Sequence, residues 1–199
     1  SDVKYFTILF DLDGVLITKA KQFSDRLEEI YGIPVARLQP FFTGVFLECG
    51  IGKADLKEEL IKVIGDWGWK GSVDELLAFW FSTGTEIDQE VAAFVSQLRQ
   101  QGIKTYLTTD QEKYRGEFLR KMFGSGVLFD EVFYSAEIGC RKKDPAFFAY
   151  VDAHIDVDRQ QVLFVDDGEK NIETAKAFGY DAHLFTDLDG LKAVLSTEL

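Results

Sequence analysis

The sequence is poor in cysteine and in basic residues, and it lacks long apolar runs. Cys49 and Cys140 are the two cysteines among 199 residues, too few for a disulfide framework or a four-ligand zinc site, so we expect a reducing compartment. Lys and Arg number 22 against 34 Asp and Glu, a formal net charge of −12. This balance argues against a nucleic-acid or anionic-membrane partner held by bulk electrostatics. Without an 18-residue apolar run or a signal-peptide pattern, the sequence predicts a soluble, cytoplasmic protein with no membrane partner.

What the sequence does contain is an alternation of short apolar runs with helical patterns. Each apolar run stops at a polar loop, as buried strands do. The predicted strands are Tyr5–Phe10, Ile103–Leu107, Leu128–Tyr134, Gln161–Val165 and Ala182–Phe185. The predicted helices among them are Glu112–Phe123, Asp144–His154, Lys170–Phe178 and Leu188–Leu195. This order predicts an α/β fold with a parallel sheet, in which ligands bind beyond the carboxyl ends of the strands.

The stretch between the first two strands lacks this alternation. Its apolar spacing predicts helices at Gln22–Tyr31, Ala54–Asp66 and Val73–Phe81. We therefore expect two domains, a core of residues 1–17 and 88–199 and a helical domain of residues 18–87 inserted after the first strand.

Four polar loop segments are expected at one edge of the sheet, namely Asp11–Leu16, Thr109–Asp110, Arg141–Pro145 and Asp166–Gly168 with Asn171 behind it. In the first segment, Asp11 and Asp13 lie two residues apart, so that one can act as a nucleophile and the other as a proton donor. Converging carboxylates need a cation, and oxygen ligands favour a hard metal such as Mg²⁺. Lys142 and the hydroxyl of Thr109 would complete a clamp for a phosphoryl group.

These segments resemble, in order, the four motifs of the haloacid dehalogenase superfamily of phosphohydrolases. Asp-Leu-Asp-Gly-Val-Leu at 11–16 is similar to the first motif, and Leu107–Asp110 is similar to the strand that ends in Ser or Thr. Gly139–Pro145 resembles the Gly-x-x-Lys-Pro-Asp-Pro segment, and Phe164–Asp167 resembles the acidic fourth motif. The resemblance covers nearly the whole chain. It implies a Rossmann-like core with a small all-helical cap, as in the family's helical-capped phosphatases of subfamily IA.

The resemblance also implies an activity, that of a Mg²⁺-dependent phosphatase with an aspartyl-phosphate intermediate. Asp11 would attack the phosphorus, and Asp13 would protonate the leaving alcohol and then activate water. The residues around the phosphate would be Thr109, Asp110 and Lys142. The Mg²⁺ ligands would be Asp11, the main-chain carbonyl of Asp13, Asp166 and Asp167, the last directly or through water.

Two positions depart from the family pattern. Asp110 stands where the family often has Asn, and it is expected to cap the following helix while adding negative charge near the phosphate. Lys143 stands in place of the usual Pro, which leaves both Lys142 and Lys143 as candidates for the motif lysine. The spacing to Asp144 favours Lys142, and Arg141 is the weaker third candidate.

The substrate predicted for a capped site is a small phosphorylated metabolite, such as a sugar phosphate or a nucleotide. Lys53 lies where similar caps send a loop into the active site and is a candidate substrate contact, although a solvated lysine in a helix's first turn is the commoner case. Two alternatives stay open: a binding or regulatory protein with little or no turnover, and a sugar phosphomutase, although similar mutases place a His near Phe23. A monomer or a homodimer is expected.

Overall fold

The computed structural model describes residues 4–18, 22–83 and 86–196, and a parallel sheet of five strands forms the framework of this part of the chain. The strands are β1 (Thr7–Phe10), β2 (Lys104–Thr109), β3 (Glu131–Tyr134), β4 (Val162–Asp166) and β5 (Asp181–Leu184). Every neighbouring pair is parallel. The predicted α/β class and the five predicted strands are therefore confirmed, with shifts at their ends.

Helices account for most of the remaining described chain. In chain order they are α1 (Phe23–Tyr31), α2 (Val35–Phe42), α3 (Val45–Cys49), α4 (Leu56–Ile61), α5 (Ile64–Trp67), α6 (Val73–Ser82), α7 (Gln89–Gln100), α8 (Lys113–Phe123), α9 (Ser135–Ile138), α10 (Pro145–His154), α11 (Glu169–Phe178) and α12 (Leu188–Ser196). A 3₁₀ turn, Arg159–Gln161, precedes β4. Helices α1 to α6, which lie between β1 and α7, are called the helical segment below.

The sheet is covered by helices on both faces. Alternate side chains of β1 point to opposite faces, as the strand period of two requires. Ile8 and Phe10 join an apolar cluster with side chains of α7, α8 and α12, whereas Leu9 joins a second cluster with side chains of α10 and α11. The result is a three-layer core in which the parallel sheet is buried on both sides.

The strand order β3-β2-β1-β4-β5 puts the first strand in the centre of the sheet. From β1 the chain builds outward through β2 to β3 on one side, and later through β4 to β5 on the other. The connections therefore leave in opposite directions at the boundary between β1 and β4. In open α/β sheets this switch point is where a ligand crevice forms, at the carboxyl ends of the strands.

The helical segment packs around an apolar cluster of its own. Leu27, Leu38, Leu60 and Leu76 are fully buried in it. The two pieces of chain that join the segment to the sheet run side by side, because the N–H of Thr18 donates to the carbonyl of Glu86 at 3.2 Å and the N–H of Asp88 donates to the carbonyl of Leu16 at 2.8 Å. The segment thus leaves and returns at one place beside β1.

The prediction of one continuous helix over Ala54–Asp66 is wrong. The structure divides this stretch into α4, which ends at Ile61, and α5, which begins at Ile64. The β-branched residues Ile61, Val63 and Ile64 surround the break, and such residues lose side-chain freedom in a helix.

Four further helices of the described chain were not predicted from the sequence: α2, α3, α7 and the four-residue α9. Pro34 and Pro40 interrupt the helical pattern of α2, yet Pro34 is its N-cap and Pro40 lies inside its last turn. Helix α3 has five residues, too short for a periodic signal. Helix α7 carries buried Val91, Val95 and Leu98 at helical spacing, a signal that the sequence did offer.

In the part of the chain that the structure describes, no helix is long and apolar enough to cross a membrane.

Candidate active site

Three polar side chains are buried together at the carboxyl ends of the central strands. Asp11 follows β1 directly, Thr109 ends β2 and Asp166 ends β4. The exposed fractions of these three residues are 6%, 1% and 0%. A buried polar or charged group is unfavourable without partners. The burial of three such residues at the switch point between β1 and β4 therefore indicates a functional site.

The loop after β1 places its two carboxylates in different environments. The N–H groups of Leu16 and Ile17 both donate to the carbonyl of Leu12, at 3.0 and 2.9 Å, which folds the chain into a tight turn. The N–H of Leu12 donates to Oδ1 of Asp11 at 2.8 Å and fixes that carboxylate. Asp13 is exposed, and Nε2 of Gln111 donates to its Oδ2 at 3.3 Å.

Lys142 bridges the two sides of the switch point. Its ammonium donates to Oδ1 of Asp11 and to Oδ2 of Asp166, both at 2.7 Å, and to the carbonyl of Thr108 at 3.1 Å. The side chain of Lys142 is 3% exposed, whereas Lys143 is exposed. Of the three candidates for the motif lysine, the structure therefore brings Lys142 to the carboxylates.

Arg141, the third candidate, contacts the helical segment instead. Its Nη2 donates to the carbonyl of Leu47 at 3.0 Å, close to the end of α3.

Burial and neighbouring charge act against each other in this site. Burial raises the pKa of Asp11 above the usual carboxyl range, with Lys142 opposing the rise and Asp166 adding to it. Burial also acts to lower the pKa of Lys142, but the carboxylates of Asp11 and Asp166 outweigh it and raise that pKa above the usual lysine value. Lys142 is therefore a fixed positive charge, and it is shared by more than one carboxylate.

A third carboxylate completes a group able to hold a metal ion. Ligand oxygens of Asp11, Asp166 and Asp167 lie within 4.8 Å of one another. Oδ1 of Asp166 accepts from the N–H of Gly168 at 2.8 Å and from Nδ2 of Asn171 at 3.3 Å, which orients its carboxylate. Three carboxylates against one ammonium leave negative charge to be balanced, and an all-oxygen set fits a hard divalent cation. The carboxylate of Asp13 lies outside this group.

Asp110 does not cap the helix that follows it, so that expectation is wrong. The N-cap of α8 is Glu112, whose side chain accepts from the N–H groups of Tyr114 and Arg115. Oδ1 of Asp110 accepts instead from the main-chain N–H of Lys142, at 3.0 Å. Asp110 thus ties the loop that carries the lysine to the end of β2. The N-cap of α10 is Asp144, whose side chain accepts from the N–H of Ala146, and Pro145 begins the helix.

A cavity of about 790 Å³ lies between the helical segment and the carboxyl edge of the sheet. Its core side is lined by Asp13, Asp110, Gln111 and Arg115, among others, and its opposite side by aromatic residues of the helical segment. Lys53 is exposed in the turn between α3 and α4 and is not among the described residues that line this cavity.

Gln111 and Arg115 were missed in the sequence. Nε2 of Gln111 donates to Oγ1 of Thr109 at 2.9 Å as well as to Asp13. Nη1 of Arg115 donates to the carbonyl of Phe81 at 3.0 Å, which joins the core side of the cavity to α6. Burial lowers the pKa of Arg115, while the charges of Asp13 and Glu112 act in the opposite direction. Their positions could have indicated a place in the site, because Gln111 follows the end of β2 and Arg115 lies in the first turn of α8.

A parallel sheet with carboxylates and a buried lysine at its switch point is the architecture of an α/β enzyme. The chain belongs to a family of such enzymes, the haloacid dehalogenase-like hydrolases, whose family model matches residues 6–179. The resemblance inferred from the four motifs is confirmed.

Individual relatives differ in their names and in how much of their length is matched. A "Sesquiterpene phosphatase astK" of Aspergillus oryzae is 33% identical over 100 residues, which are 50% of this chain and 51% of that protein. A "D-ribitol-5-phosphate phosphatase" of Bacteroides thetaiotaomicron is 26% identical over 87% of this chain and 88% of that protein. The match to the sesquiterpene phosphatase thus covers about half of that protein's length. The match to another fungal relative covers 21% of that relative's length.

The fold is also found in solved structures. A haloacid dehalogenase family enzyme of Bacteroides thetaiotaomicron, solved as the wild-type protein in complex with magnesium and inorganic phosphate, superposes with a TM-score of 0.76 at 22% identity. The match covers 94% of this chain and 98% of that one. The likeness confirms the Rossmann-like α/β fold.

Proposed function

We propose that the protein is a Mg²⁺-dependent phosphatase that hydrolyses a small phosphorylated metabolite through an aspartyl-phosphate. The observation that carries the proposal is the ammonium of Lys142, held at 2.7 Å from both Asp11 and Asp166 at the switch point of the sheet. A buried lysine fixed between a nucleophile and a cation-binding carboxylate is placed to stabilise charge on a transferring phosphoryl group.

The two carboxylates of the first loop divide the chemistry. A carboxylate oxygen of Asp11 attacks the phosphorus and forms an oxygen–phosphorus bond, which makes an acyl phosphate. The bond from phosphorus to the alcohol oxygen of the substrate breaks, and Asp13 gives that leaving oxygen its proton. Asp13 then takes a proton from water, which attacks the phosphorus and releases inorganic phosphate and free Asp11. The exposure of Asp13 on the cavity supports this role, because the leaving group must reach it.

Thr109 and Lys142 are assigned to the phosphoryl oxygens, and Asp110 to the placement of the loop that carries Lys142. Asp11, Asp166 and Asp167 are the side chains that would hold Mg²⁺, together with the main-chain carbonyl of Asp13. When bound, the ion supplies positive charge that makes an anionic substrate acceptable beside these carboxylates.

The substrate is proposed to be a small molecule because the cavity, at about 790 Å³, falls in the range of roughly 300–1,000 Å³ that is usual for small-molecule sites. We also propose that residues 18–87 form the cap domain and that residues 1–17 and 88–199 form the core. The cap would exclude bulk water during the reaction.

The names of the relatives support phosphate-ester hydrolysis and differ in the alcohol. One is a sesquiterpene phosphatase and another a D-ribitol-5-phosphate phosphatase. The mutase alternative receives no support from the cavity, where Phe23 provides no group for proton transfer. A binding protein without turnover would not need a nucleophile fixed by Leu12 and Lys142.

The test is phosphate release from p-nitrophenyl phosphate and from a panel of small phosphate esters, with and without Mg²⁺. We expect release that requires Mg²⁺ and is lost in Asp11→Asn. Asp156→Asn, which changes an exposed aspartate in a loop, is the matched control and should retain activity. No release from any ester, or equal release in Asp11→Asn, would overturn the proposal.

A further inference from the structure

Five aromatic side chains, called the aromatic wall below, line the side of the cavity formed by the helical segment, with polar residues among them. These are Phe23, Phe42, Phe46, Trp80 and Phe81, and they come from helices α1, α2, α3 and α6. Trp80 is the centre of this wall: it stacks on Phe23 at 4.3 Å between ring centroids and meets Phe42 at 5.5 Å and Phe46 at 5.6 Å. Apart from Phe23 these rings are only partly buried. The surface that they leave open faces the cavity that they line.

The aromatic wall lies next to the carboxyl edge of the sheet, and residues of both line the same cavity. The guanidinium of Arg115 lies 5.5 Å from the ring centroid of Phe81, and Arg115 lines the same cavity as Asp13. A substrate whose phosphate lies at Asp11 therefore has its organic part between the charged core side and the rings of the helical segment.

Several polar groups of this cavity already have partners within the protein. Arg115 donates to the carbonyl of Phe81, Arg141 donates to the carbonyl of Leu47, and the hydroxyl of Ser135 donates to the carbonyl of Gly50 at 2.6 Å. Gln22 and Gln39 also line the cavity, but they are exposed, so water can satisfy them. A hydroxyl-rich group placed against the rings would lose its water without gaining an equal number of hydrogen bonds.

We propose that the substrate is an amphiphilic phosphate monoester, with a hydrocarbon chain that packs on the aromatic wall of the helical segment. This inference rests on the proposed function and narrows its substrate class. The phosphate is held at the carboxyl edge of the sheet, and the hydrocarbon part gains affinity by leaving water. A polyol phosphate of similar length has the same phosphate but lacks this gain.

The experiment is a homologous series of n-alkyl phosphates from ethyl to octyl, assayed with Mg²⁺ beside glycerol phosphate, ribitol 5-phosphate and a nucleoside monophosphate. If each methylene is buried, kcat/KM rises by roughly threefold to fourfold per added methylene until the cavity is filled. The rise should come mainly from KM, because the chain contacts the wall equally in the ground state and the transition state.

A pair of variants tests the wall itself. Phe46→Gln puts a polar group beside Trp80 and should flatten the dependence on chain length. Trp69→Gln is the matched control, because Trp69 is also a partly buried ring of the helical segment but contacts the rings of Tyr31 and Phe79, outside the cavity lining. It should leave the dependence as in the wild type. Thermal unfolding checks that each variant is folded, and the wild-type series decides the question even if Phe46→Gln does not fold.

The outcomes separate the two proposals. In one contrary outcome, the protein turns over p-nitrophenyl phosphate but kcat/KM does not change along the alkyl series. In another, the polyol or nucleoside phosphates are preferred. Either result would overturn the proposal of an amphiphilic substrate and leave the proposed phosphatase activity unaffected. Equal slopes in Phe46→Gln and the wild type would also overturn it. No turnover of any ester would instead refute the proposed function, and the present inference with it.

Discussion

The ammonium of Lys142 lies 2.7 Å from Oδ1 of Asp11, although the two residues are 131 positions apart in the chain. The same ammonium lies 2.7 Å from Oδ2 of Asp166. One side chain thus carries the positive charge between the loop after β1 and the end of β4. Because all three groups are buried, each depends on the others for its charge to be tolerated.

Replacing Lys142 by Met should damage both activity and stability. Loss of a charge at the transferring phosphoryl group is expected to lower kcat by about 100-fold or more. Without added metal, removal of one partner from a buried ionic group should lower the free energy of unfolding by about 3–5 kcal/mol. Steady-state kinetics and urea unfolding at neutral pH measure the two effects.

The control for this substitution is Lys143→Met, in the exposed neighbour. It should change kcat/KM by less than a factor of about three and the free energy of unfolding by less than about 0.5 kcal/mol. Similar losses in both variants would contradict the assignment of the buried charge to Lys142.

Asp110 is expected to act through the hydrogen bond that it accepts from the N–H of Lys142. Asp110→Asn keeps an acceptor oxygen at this position, so kcat/KM should stay within about twofold of the wild-type value. Asp110→Ala removes the acceptor, and the loss of a hydrogen bond of about 1 kcal/mol corresponds to a decrease in kcat/KM of roughly fivefold. The same decrease in both variants would show that the negative charge matters, rather than the hydrogen bond.

The strands and the motif loops were predictable because each rests on a local pattern. An apolar run such as Gln161–Val165 followed by Asp166 and Asp167 predicts a buried strand with carboxylates at its end. The predicted strand ends lie close to the observed ones for this reason. The order β3-β2-β1-β4-β5, and with it the meeting of β1 and β4, is a property of the whole sheet that no single run contains.

The contacts among the residues of the candidate site were less predictable from the sequence than the identity of those residues. That Asp110 accepts from the main chain of Lys142 depends on how two loops, 32 residues apart, approach each other. Arg115 reaches the cavity because Glu112, not Asp110, caps α8, which sets the start of the helix and the direction of the arginine. Such choices follow from tertiary packing, so a local sequence pattern does not determine them.

The ion pair of Arg99 and Asp130 should make stability depend on pH. Oδ2 of Asp130 accepts from Nη1 of Arg99 at 2.9 Å and from the N–H of Thr105 at 3.1 Å. Burial acts to raise the pKa of Asp130, but these hydrogen bonds and the charge of Arg99 outweigh it and lower that pKa below its usual value. A carboxyl group with a lowered folded-state pKa stabilises the protein above its unfolded-state pKa, about 3.9, and loses this contribution as pH falls through the folded-state pKa.

Asp130→Asn should therefore lower the free energy of unfolding by about 1–3 kcal/mol at pH 7. The difference from the wild type should shrink as the pH is lowered below about 4. Urea unfolding at pH 7 and at acidic pH values that the fold withstands measures it, with Asp156→Asn as the control for an exposed aspartate. A difference that is the same at every pH would show that Asp130 acts through shape and not through its charge.

Two helical glycines should respond in opposite directions to replacement by Ala. A methyl group at Gly116 in α8 would overlap the ring of Tyr134, whereas Gly65 in α5 has open space at that point. We expect Gly116→Ala to lower the free energy of unfolding by about 1–3 kcal/mol through overpacking. Gly65→Ala should raise it by about 0.5–1 kcal/mol through helix propensity. Equal effects in thermal unfolding would contradict the close packing of α8 on β3.

Binding of Mg²⁺ should be visible as stabilisation, independently of turnover. A ligand that binds the folded state alone, at 100 times its dissociation constant, adds about 2.7 kcal/mol to the free energy of unfolding. For a chain of 199 residues this corresponds to a rise in Tm of roughly 5–10 °C. Asp167→Asn removes one of the three clustered carboxylates and should reduce the rise at a fixed Mg²⁺ concentration, whereas Asp156→Asn should not. An equal rise in the wild type and Asp167→Asn would place the ion elsewhere than at Asp11, Asp166 and Asp167.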